Sequence, residues 1–308
     1  MLKIYKTVDG SLNVIETYEL GSWINLVNPT EQEIEAVCEN TGADISFVKA
    51  ALDEEETSRV DVEDNNQTLV IVDVPVAEKD GTAVMYSTLP FGIVVLSDYL
   101  ITVCLRDVSS LEEIASGQAK GIKTAHKTRF VLQFMLRVAG RYLQYLRQID
   151  KISNYIERQL YKSQKNKELI QLLDLEKSLV YFATSLKSTE VTMEKILRGR
   201  ILKLYEDDQD LLEDVIIEFK QAIQMADIYS TILSGTMDAF ASVISNNLNV
   251  IMKVLTSLTI IITIPNIVFG FYGMNVEHLP LPVSWFPLVV SVALMGAIGV
   301  ILKKKGLF

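Results

Sequence analysis

The sequence predicts an α/β cytoplasmic domain, then a long helical stalk, and at its end a C-terminal two-helix transmembrane hairpin. Three observations support this fold class. Residues 1–121 alternate β-rich runs with helical patterns, after which strand signals stop. A helical pattern then runs from residue 205 with no proline before Pro265. Residues 254–271 and 283–302 are apolar, contain no Lys or Arg, and are each close to the length that spans a bilayer.

Composition excludes several classes of protein. The chain has 308 residues with a net charge of −10, so we expect no binding to nucleic acid. The hydrophobic fraction of 49% beside 22% charged residues indicates soluble and membrane parts that are separate along the chain. The cysteines, Cys38 and Cys104, are far apart, which predicts buried thiols rather than a disulfide framework. The N-terminus has no apolar signal-peptide run, so we expect the soluble part to be cytoplasmic.

Residues 1–121 form the predicted α/β/α domain. Asp9-Gly10 suits a hairpin turn because glycine tolerates positive φ. Asn28-Pro29-Thr30-Glu31 is typical of a helix start, and Gly42 of a helix end. The predicted strands are Leu2–Lys6, Leu12–Thr17, Ser22–Val27, Thr68–Val74, Phe91–Leu96 and Tyr99–Leu105.

Helices are predicted for the rest of the soluble part. Residues 122–204 hold two long cytoplasmic helices, the first ending near Lys162 and the second running from about Glu168 to Leu197. Residues 205–253 are the cytoplasmic part of a third helix that continues to about residue 271. Its roughly 65 residues would make a rod about 100 Å long.

The predicted membrane hairpin consists of transmembrane helices at 254–271 and 283–302, joined by an outside loop at 272–282. Residues 303–308 form a basic tail that contains Lys303, Lys304 and Lys305, whereas the loop has no Lys or Arg. The positive-inside rule therefore places both termini in the cytoplasm. The protein is expected to be a multi-pass protein of the cell or inner membrane.

Polar and small residues recur at heptad spacing along the third helix. Such residues are costly in lipid, so the stripe is expected to line a wet pore between several copies of the chain. The alternative is that small residues simply allow close helix packing. The stripe consists of Asp238, Ser242, Ser245, Asn249, Met252, Thr256, Thr259, Thr263, Asn266 and Gly270.

The segment Tyr272-Gly273-Met274-Asn275 lies between the two spans, above the uninterrupted stalk and ahead of the lysine cluster. With this context the chain resembles the CorA family of divalent-cation channels, whose signature is Gly-Met-Asn at the outer end of the first transmembrane helix. The resemblance covers nearly the whole chain. It implies a funnel-shaped homopentameric Mg²⁺ channel with a central pore.

The resemblance also implies a selectivity filter formed by Gly273, Met274 and Asn275. Mg²⁺ gives up its water reluctantly, so a ring of Asn275 carbonyls would hold the hydrated ion without a fixed charge. Gly273 would permit a tight turn that aims Asn275 inward, with Met274 packed behind it.

Further positions match the pore of the family. Asn249, Met252 and Leu255 match its lower part, where Met and Leu rings form a hydrophobic gate. Leu255 and Thr256 are neighbours, and the choice between them stays open. The sequence Thr263-Ile264-Pro265-Asn266 departs from the family by lacking a Met before the proline, which makes the gate position uncertain. Other matched pore positions are Asp238, Thr263 and Asn266.

Family members close when cytoplasmic Mg²⁺ binds between subunits. Asp214 matches one ligand of that regulatory site, and the opposite ligand is expected near the acidic segment Asp53, Glu54, Glu55 and Glu56. The alternative is that these acids form a solvated face. Mg²⁺ is thus the expected transported and regulatory ion, and no organic cofactor is expected.

No catalytic constellation is present, so the chain is not expected to be an enzyme. His126 and His278 are its two histidines, on opposite sides of the predicted membrane, and no P-loop motif occurs. Transport should therefore be passive. Two alternatives remain: a transporter of Zn²⁺, Co²⁺ or Ni²⁺ from the same superfamily, and a membrane-anchored scaffold or sensor without transport.

Overall fold

The computed structural model describes residues 1–63, 67–80, 83–119, 121–163, 166–199, 201–202, 204–275, 281 and 283–307. The chain forms two compact units, Met1–Ser234 and Gly235–Phe308.

The first unit is built on a seven-stranded sheet with the strand order β2-β1-β3-β7-β6-β5-β4. Strand β3 pairs in parallel with β7, and every other neighbouring pair is antiparallel. The strands are β1 (Leu2–Val8), β2 (Ser11–Ile15), β3 (Trp23–Val27), β4 (Arg59–Val62), β5 (Thr68–Asp80), β6 (Ala83–Val95) and β7 (Leu100–Cys104). The helices of the chain are α1 (Glu31–Thr41), α2 (Ile45–Ala50), α3 (Ser109–Ala115), α4 (Lys127–Ser163), α5 (Asn166–Gly199), α6 (Glu206–Tyr272) and α7 (Phe286–Lys304).

Helices cover both faces of the sheet. On one face Ile34 and Val37 of α1 and Val48 of α2 join a buried cluster with strand residues. On the other face Phe134 of α4 stacks on Phe91 of β6, with ring centroids 4.5 Å apart. This three-layer arrangement confirms the predicted fold class, while the homopentamer stays a prediction.

Local signals in the first 50 residues are confirmed. Asp9 and Gly10 take positive φ values of 50° and 81° in the β1–β2 turn. Thr30 caps α1 in a capping box with Glu33, which satisfies amide groups that have no acceptor inside the helix. Gly42 ends the helix in the left-handed conformation, with φ of 72°.

Other local predictions were incomplete. Strands β5 and β6 extend well beyond residues 68–74 and 91–96, because Pro75 and Pro90 interrupt the strand signal although both lie in the paired ladder. Strand β4 and helices α2 and α3 were not predicted. Cys104 is buried, which raises the pKa of its thiol to about 12, but Cys38 is only half-buried.

The long helices agree with their predicted extents to within a few residues. Helix α4 ends at Ser163 and α5 begins at Asn166; residues 164–165 of the predicted hinge lie outside the described part of the chain. Helix α6 is continuous over 67 residues and contains Pro265. Among the described residues, two helices are long and apolar enough to cross a membrane: Asp208–Tyr272 and Phe286–Lys304.

Candidate functional site

The second unit is an antiparallel hairpin of α6 and α7. At one end the Ser257 hydroxyl of α6 donates to the Leu307 carbonyl just after α7, at 2.9 Å. At the other end the rings of Tyr272 and Phe286 lie 6.1 Å apart. The sequence analysis missed these contacts, because periodicity shows which positions share a face but not what covers that face.

Burial on α6 defines the hairpin face. Ser257 and Ile264 are buried, and Ile261 and Val268 are half-buried, at a spacing that repeats along one side of a helix. Pro287, Ser291 and Leu302 are the buried residues of α7. The polar stripe lies about 130° around α6 from this face, taking 3.6 residues per turn. The two helices of one chain therefore leave the stripe uncovered.

Every predicted pore position on α6 is exposed in the single chain. Met252 and Leu255 are 52% and 55% exposed, which is unusual for large apolar side chains unless another surface covers them. The remaining exposed positions are Asp238, Asn249, Thr256, Thr259, Thr263, Asn266 and Gly270.

The threonines of the stripe have their hydroxyl protons committed within the helix. Thr259 donates to the Leu255 carbonyl at 2.8 Å, and Thr263 donates to the Thr259 carbonyl at 2.7 Å. Each hydroxyl oxygen keeps lone pairs that can accept a hydrogen bond. These two positions can therefore present acceptors to water or to the hydration shell of a cation.

The Gly273-Met274-Asn275 segment follows the end of α6 directly. The Gly273 amide donates to the Phe269 carbonyl at 2.9 Å, and a Cβ on Gly273 would lie 3.2 Å from that oxygen. Gly273 does not take a positive φ, so the expectation of a special turn conformation is corrected: close backbone approach is what favours glycine here. Met274 and Asn275 are exposed in the single chain. Residues 276–280 and 282 of the predicted loop, with His278, lie outside the described residues.

The predicted regulatory acids lie on separate elements. Asp214 is exposed on α6, and the acidic segment lies between α2 and β4. In that segment Asp53 accepts the Glu55 amide at 3.0 Å, and Glu56 pairs with Arg59 at 3.3 Å. Glu54 is also exposed. Within the described ranges, no three acidic, His or Cys side chains of one chain converge on a possible metal position.

The basic tail begins inside α7. Lys303 and Lys304 occupy its last turn, and Lys305 follows as the C-cap, with all three side chains exposed. Cations at a helix C-terminus are favourable because the negative end of the helix dipole lies there.

Comparison with known proteins decides the family. The profile described as CorA-like Mg²⁺ transporter protein matches residues 20–304. The chain belongs to the CorA-like Mg²⁺ transporter family. It is 27% identical over 299 residues to the cobalt/magnesium transport protein CorA of Methanocaldococcus jannaschii, covering 94% of this chain and 92% of that protein. It is 36% identical over 147 residues to the protein of the same description from Thermotoga maritima, covering 42% and 41%.

Solved structures show the same fold. The complete CorA magnesium transporter of M. jannaschii matches with a TM-score of 0.81 at 24% identity, covering 99% of this chain and 96% of that one. Full-length CmaX matches with a TM-score of 0.72 at 14% identity, with the same coverage. The cytoplasmic domain of ZntB from Vibrio parahaemolyticus matches with 0.61 at 12% identity, covering 80% and 97%.

Family membership determines the general activity. The protein is a divalent-cation transporter of the CorA family and not an enzyme, and its two apolar C-terminal helices agree with a location in the membrane. Mg²⁺ is the ion that the family transports.

Proposed function

We propose that this protein is a passive Mg²⁺ channel whose pore is lined by the exposed stripe of α6 from several copies of the chain, in a homopentamer. One observation carries the proposal: polar and small side chains remain exposed at heptad spacing up to the Gly273-Met274-Asn275 segment. A lipid-facing anchor would gain nothing from aligning Thr259, Thr263 and Asn266 in this way. A pore lined by water would stabilise all three.

Asn275 is proposed as the selectivity filter. Its side-chain carbonyls and the backbone carbonyl of Gly273 offer dipoles that accept from the water shell of Mg²⁺, which this ion releases slowly. A filter without fixed charge binds the ion weakly enough to let it leave. Met274 as the middle residue favours Mg²⁺ over Zn²⁺, by the family resemblance.

Met252 and Leu255 are proposed as the hydrophobic gate. They are large apolar side chains, exposed at positions near the polar stripe, and rings of such side chains lose their water when they approach one another. Above them Thr259 and Thr263 keep acceptor oxygens outward, so the middle of the pore stays wet.

The proposed orientation has both termini in the cytoplasm. Lys253 precedes the first span, and Lys303, Lys304 and Lys305 follow the second. Lys and Arg favour the cytoplasmic side of a membrane.

Feedback closure by cytoplasmic Mg²⁺ is proposed to use Asp214 of one subunit and the acidic segment of its neighbour. Asp53, Glu54 and Glu55 are exposed, as is Asp214, so all four carboxylates are accessible to a hydrated ion between chains. Mg²⁺ is often held through its waters by only one or two carboxylates.

The test is uptake of Mg²⁺ into proteoliposomes, read with a trapped fluorescent indicator. We expect Asn275→Ala to abolish selective uptake, whereas Asn246→Ala, an exposed asparagine of α6 off the stripe, should leave uptake unchanged. Both variants should insert and assemble equally well by size-exclusion chromatography.

The same assay separates the alternatives. Uptake of Zn²⁺ with little Mg²⁺ would indicate a zinc transporter, which the fold does not exclude because ZntB shares it. Equal uptake by wild type and Asn275→Ala would contradict the proposed filter. Absence of flux for either ion in wild type would favour a membrane-anchored scaffold or sensor.

A further inference from the structure

An open cavity of about 620 Å³ lies within the first unit, beside the N-terminus of α4. Its apolar wall includes Val95 and Leu96 at the end of β6 and Leu202 before α6, and Tyr205 also lines it. A second cavity, of about 520 Å³, shares His126, Arg129, Tyr205 and Asp208 with the first. The volume is in the range of sites that bind small organic ligands.

Basic side chains gather around this cavity although the chain as a whole is acidic. His126, Lys127 and Arg129 line the first cavity, and Lys123 lines the second. Within the described ranges, Lys123, His126 and Lys127 form no ion pair with a carboxylate; Lys127 donates instead to the backbone carbonyl of Ser97. These three groups therefore carry uncompensated positive charge, in part for the histidine.

The acid within the cavity is already engaged. One carboxylate oxygen of Asp208 lies 3.7 Å from the Arg129 guanidinium, and the other accepts the Tyr205 amide at 3.3 Å. Asp208 is 3% exposed, so it is not available to neutralise Lys123 or Lys127.

The start of α4 adds to the positive potential. The first hydrogen bond of this end runs from the Phe130 amide to the His126 carbonyl, at 2.9 Å, so the preceding amides lack an acceptor inside the helix. The first turn contains Lys127 and Arg129 and no acid, although the helix dipole favours acids there. Burial lowers the pKa of Lys127, and the charge of Asp98 opposes this only in part. A bound anion would stabilise the whole arrangement.

We propose that this cavity binds an organic phosphate of nucleotide size. The phosphate groups would contact Lys123, His126 and Lys127, because clustered ammonium and imidazole donors form charge-assisted hydrogen bonds with phosphate. The organic part would lie against Leu202 and Tyr205. Such a molecule would be a ligand of the soluble unit and not a cofactor of transport.

The test is isothermal titration calorimetry of ATP into the full-length protein in detergent, with EDTA present to remove Mg²⁺. We expect saturable binding that Lys123→Ala and Lys127→Gln each weaken about tenfold, the effect of losing one charge-assisted hydrogen bond. Glutamine at 127 keeps a donor for the Ser97 carbonyl. Lys151→Ala, an exposed lysine farther along α4, serves as the matched control and should bind like wild type.

Two results would overturn the inference. The first is the absence of saturable ATP binding, or equal affinity in wild type and Lys123→Ala, whose exposed side chain is not needed for folding. The second is inorganic phosphate binding as tightly as ATP, since the apolar wall would then contribute nothing. Because neither lysine belongs to the proposed pore, Mg²⁺ uptake by both variants should equal that of wild type.

Discussion

Asp73 of β5 is a buried carboxyl group surrounded by hydroxyl groups. Ser58 accepts the Asp73 amide at 3.2 Å, and the Tyr142 hydroxyl donates to the Asp73 carbonyl at 3.0 Å. Burial raises the pKa of the Asp73 side chain, and hydrogen bonds from Ser185 and Ser58 oppose that rise only in part. A raised pKa means that the folded protein binds this proton more tightly than the unfolded chain does.

The pH dependence of stability follows from that sign. The contribution of Asp73 is fully present below the unfolded pKa and is lost as pH rises through the folded pKa. We therefore expect Asp73→Asn to raise the free energy of unfolding at neutral pH relative to wild type, and the difference to shrink as the pH falls. Urea unfolding of the full chain at several pH values measures this. Asp210→Asn, at an exposed acid, should show no such trend, and a wild-type advantage at neutral pH would contradict the prediction.

Gly273 is constrained by close approach. A side chain there would press on the Phe269 carbonyl, at 3.2 Å, and shift the backbone that carries Asn275. We expect Gly273→Ala to reduce Mg²⁺ uptake several-fold with little change in assembly, since a small displacement of a positioned group lowers its effectiveness steeply. Proteoliposome uptake measures the effect. Gly296→Ala in α7, where a Cβ meets no atom within 4 Å, is the control, and equal loss in both would point to general damage.

At the scale of elements, α6 shows how one helix serves two surfaces. Ser257 and Ile264 are buried in the hairpin, while the stripe through Thr259 and Thr263 is exposed. The heptad period was visible in the sequence because apolar and polar residues alternate with the turns of a helix. Which face meets α7 was not visible, because the α6 span is apolar on several sides and periodicity does not distinguish protein from lipid.

The hydroxyl groups of this stripe provide the next prediction. Replacing Thr259 and Thr263 by Val keeps their shape but removes the acceptor oxygens, so the dry region at Met252 and Leu255 would extend upward. We expect Thr259→Val/Thr263→Val to lower Mg²⁺ uptake about tenfold, which equals about 1.4 kcal/mol of added barrier. Thr236→Val, off the stripe on α6, controls for the chemistry of the change. Uptake equal to wild type would show that this part of the helix does not line the pore.

At the scale of the whole molecule, regulation depends on groups that one chain does not bring together. Asp214 and the acidic segment are on different elements, and Asp53 and Glu56 already stabilise their own loop. If Mg²⁺ closes the channel between subunits, then Asp214→Asn should weaken inhibition by internal Mg²⁺ and shift it to several-fold higher concentration. The measurement is uptake into liposomes preloaded with graded Mg²⁺. Glu213→Gln, an exposed neighbour on another side of α6, should behave like wild type; inhibition unchanged in Asp214→Asn would remove this residue from the regulatory site.

Much of the architecture could be predicted from the sequence by itself. The two apolar spans, the uninterrupted helix, the capping box at Thr30 and the Gly42 terminus follow from residue types acting over a few turns, where backbone propensity and hydrophobic period are sufficient. The family followed from Gly273-Met274-Asn275 in its place between the spans, and the comparisons confirm it.

Only the tertiary structure decided features that depend on distant residues meeting. The ladder of β5 and β6 continues past Pro75 and Pro90 because pairing along the whole hairpin outweighs local strand propensity. The approach of Gly273 to Phe269, the contact of Ser257 with Leu307, and the cavity around Lys123 and Lys127 involve groups whose positions are set by packing. Local sequence determines which elements form, whereas burial and charge at a site depend on what the fold places beside each residue.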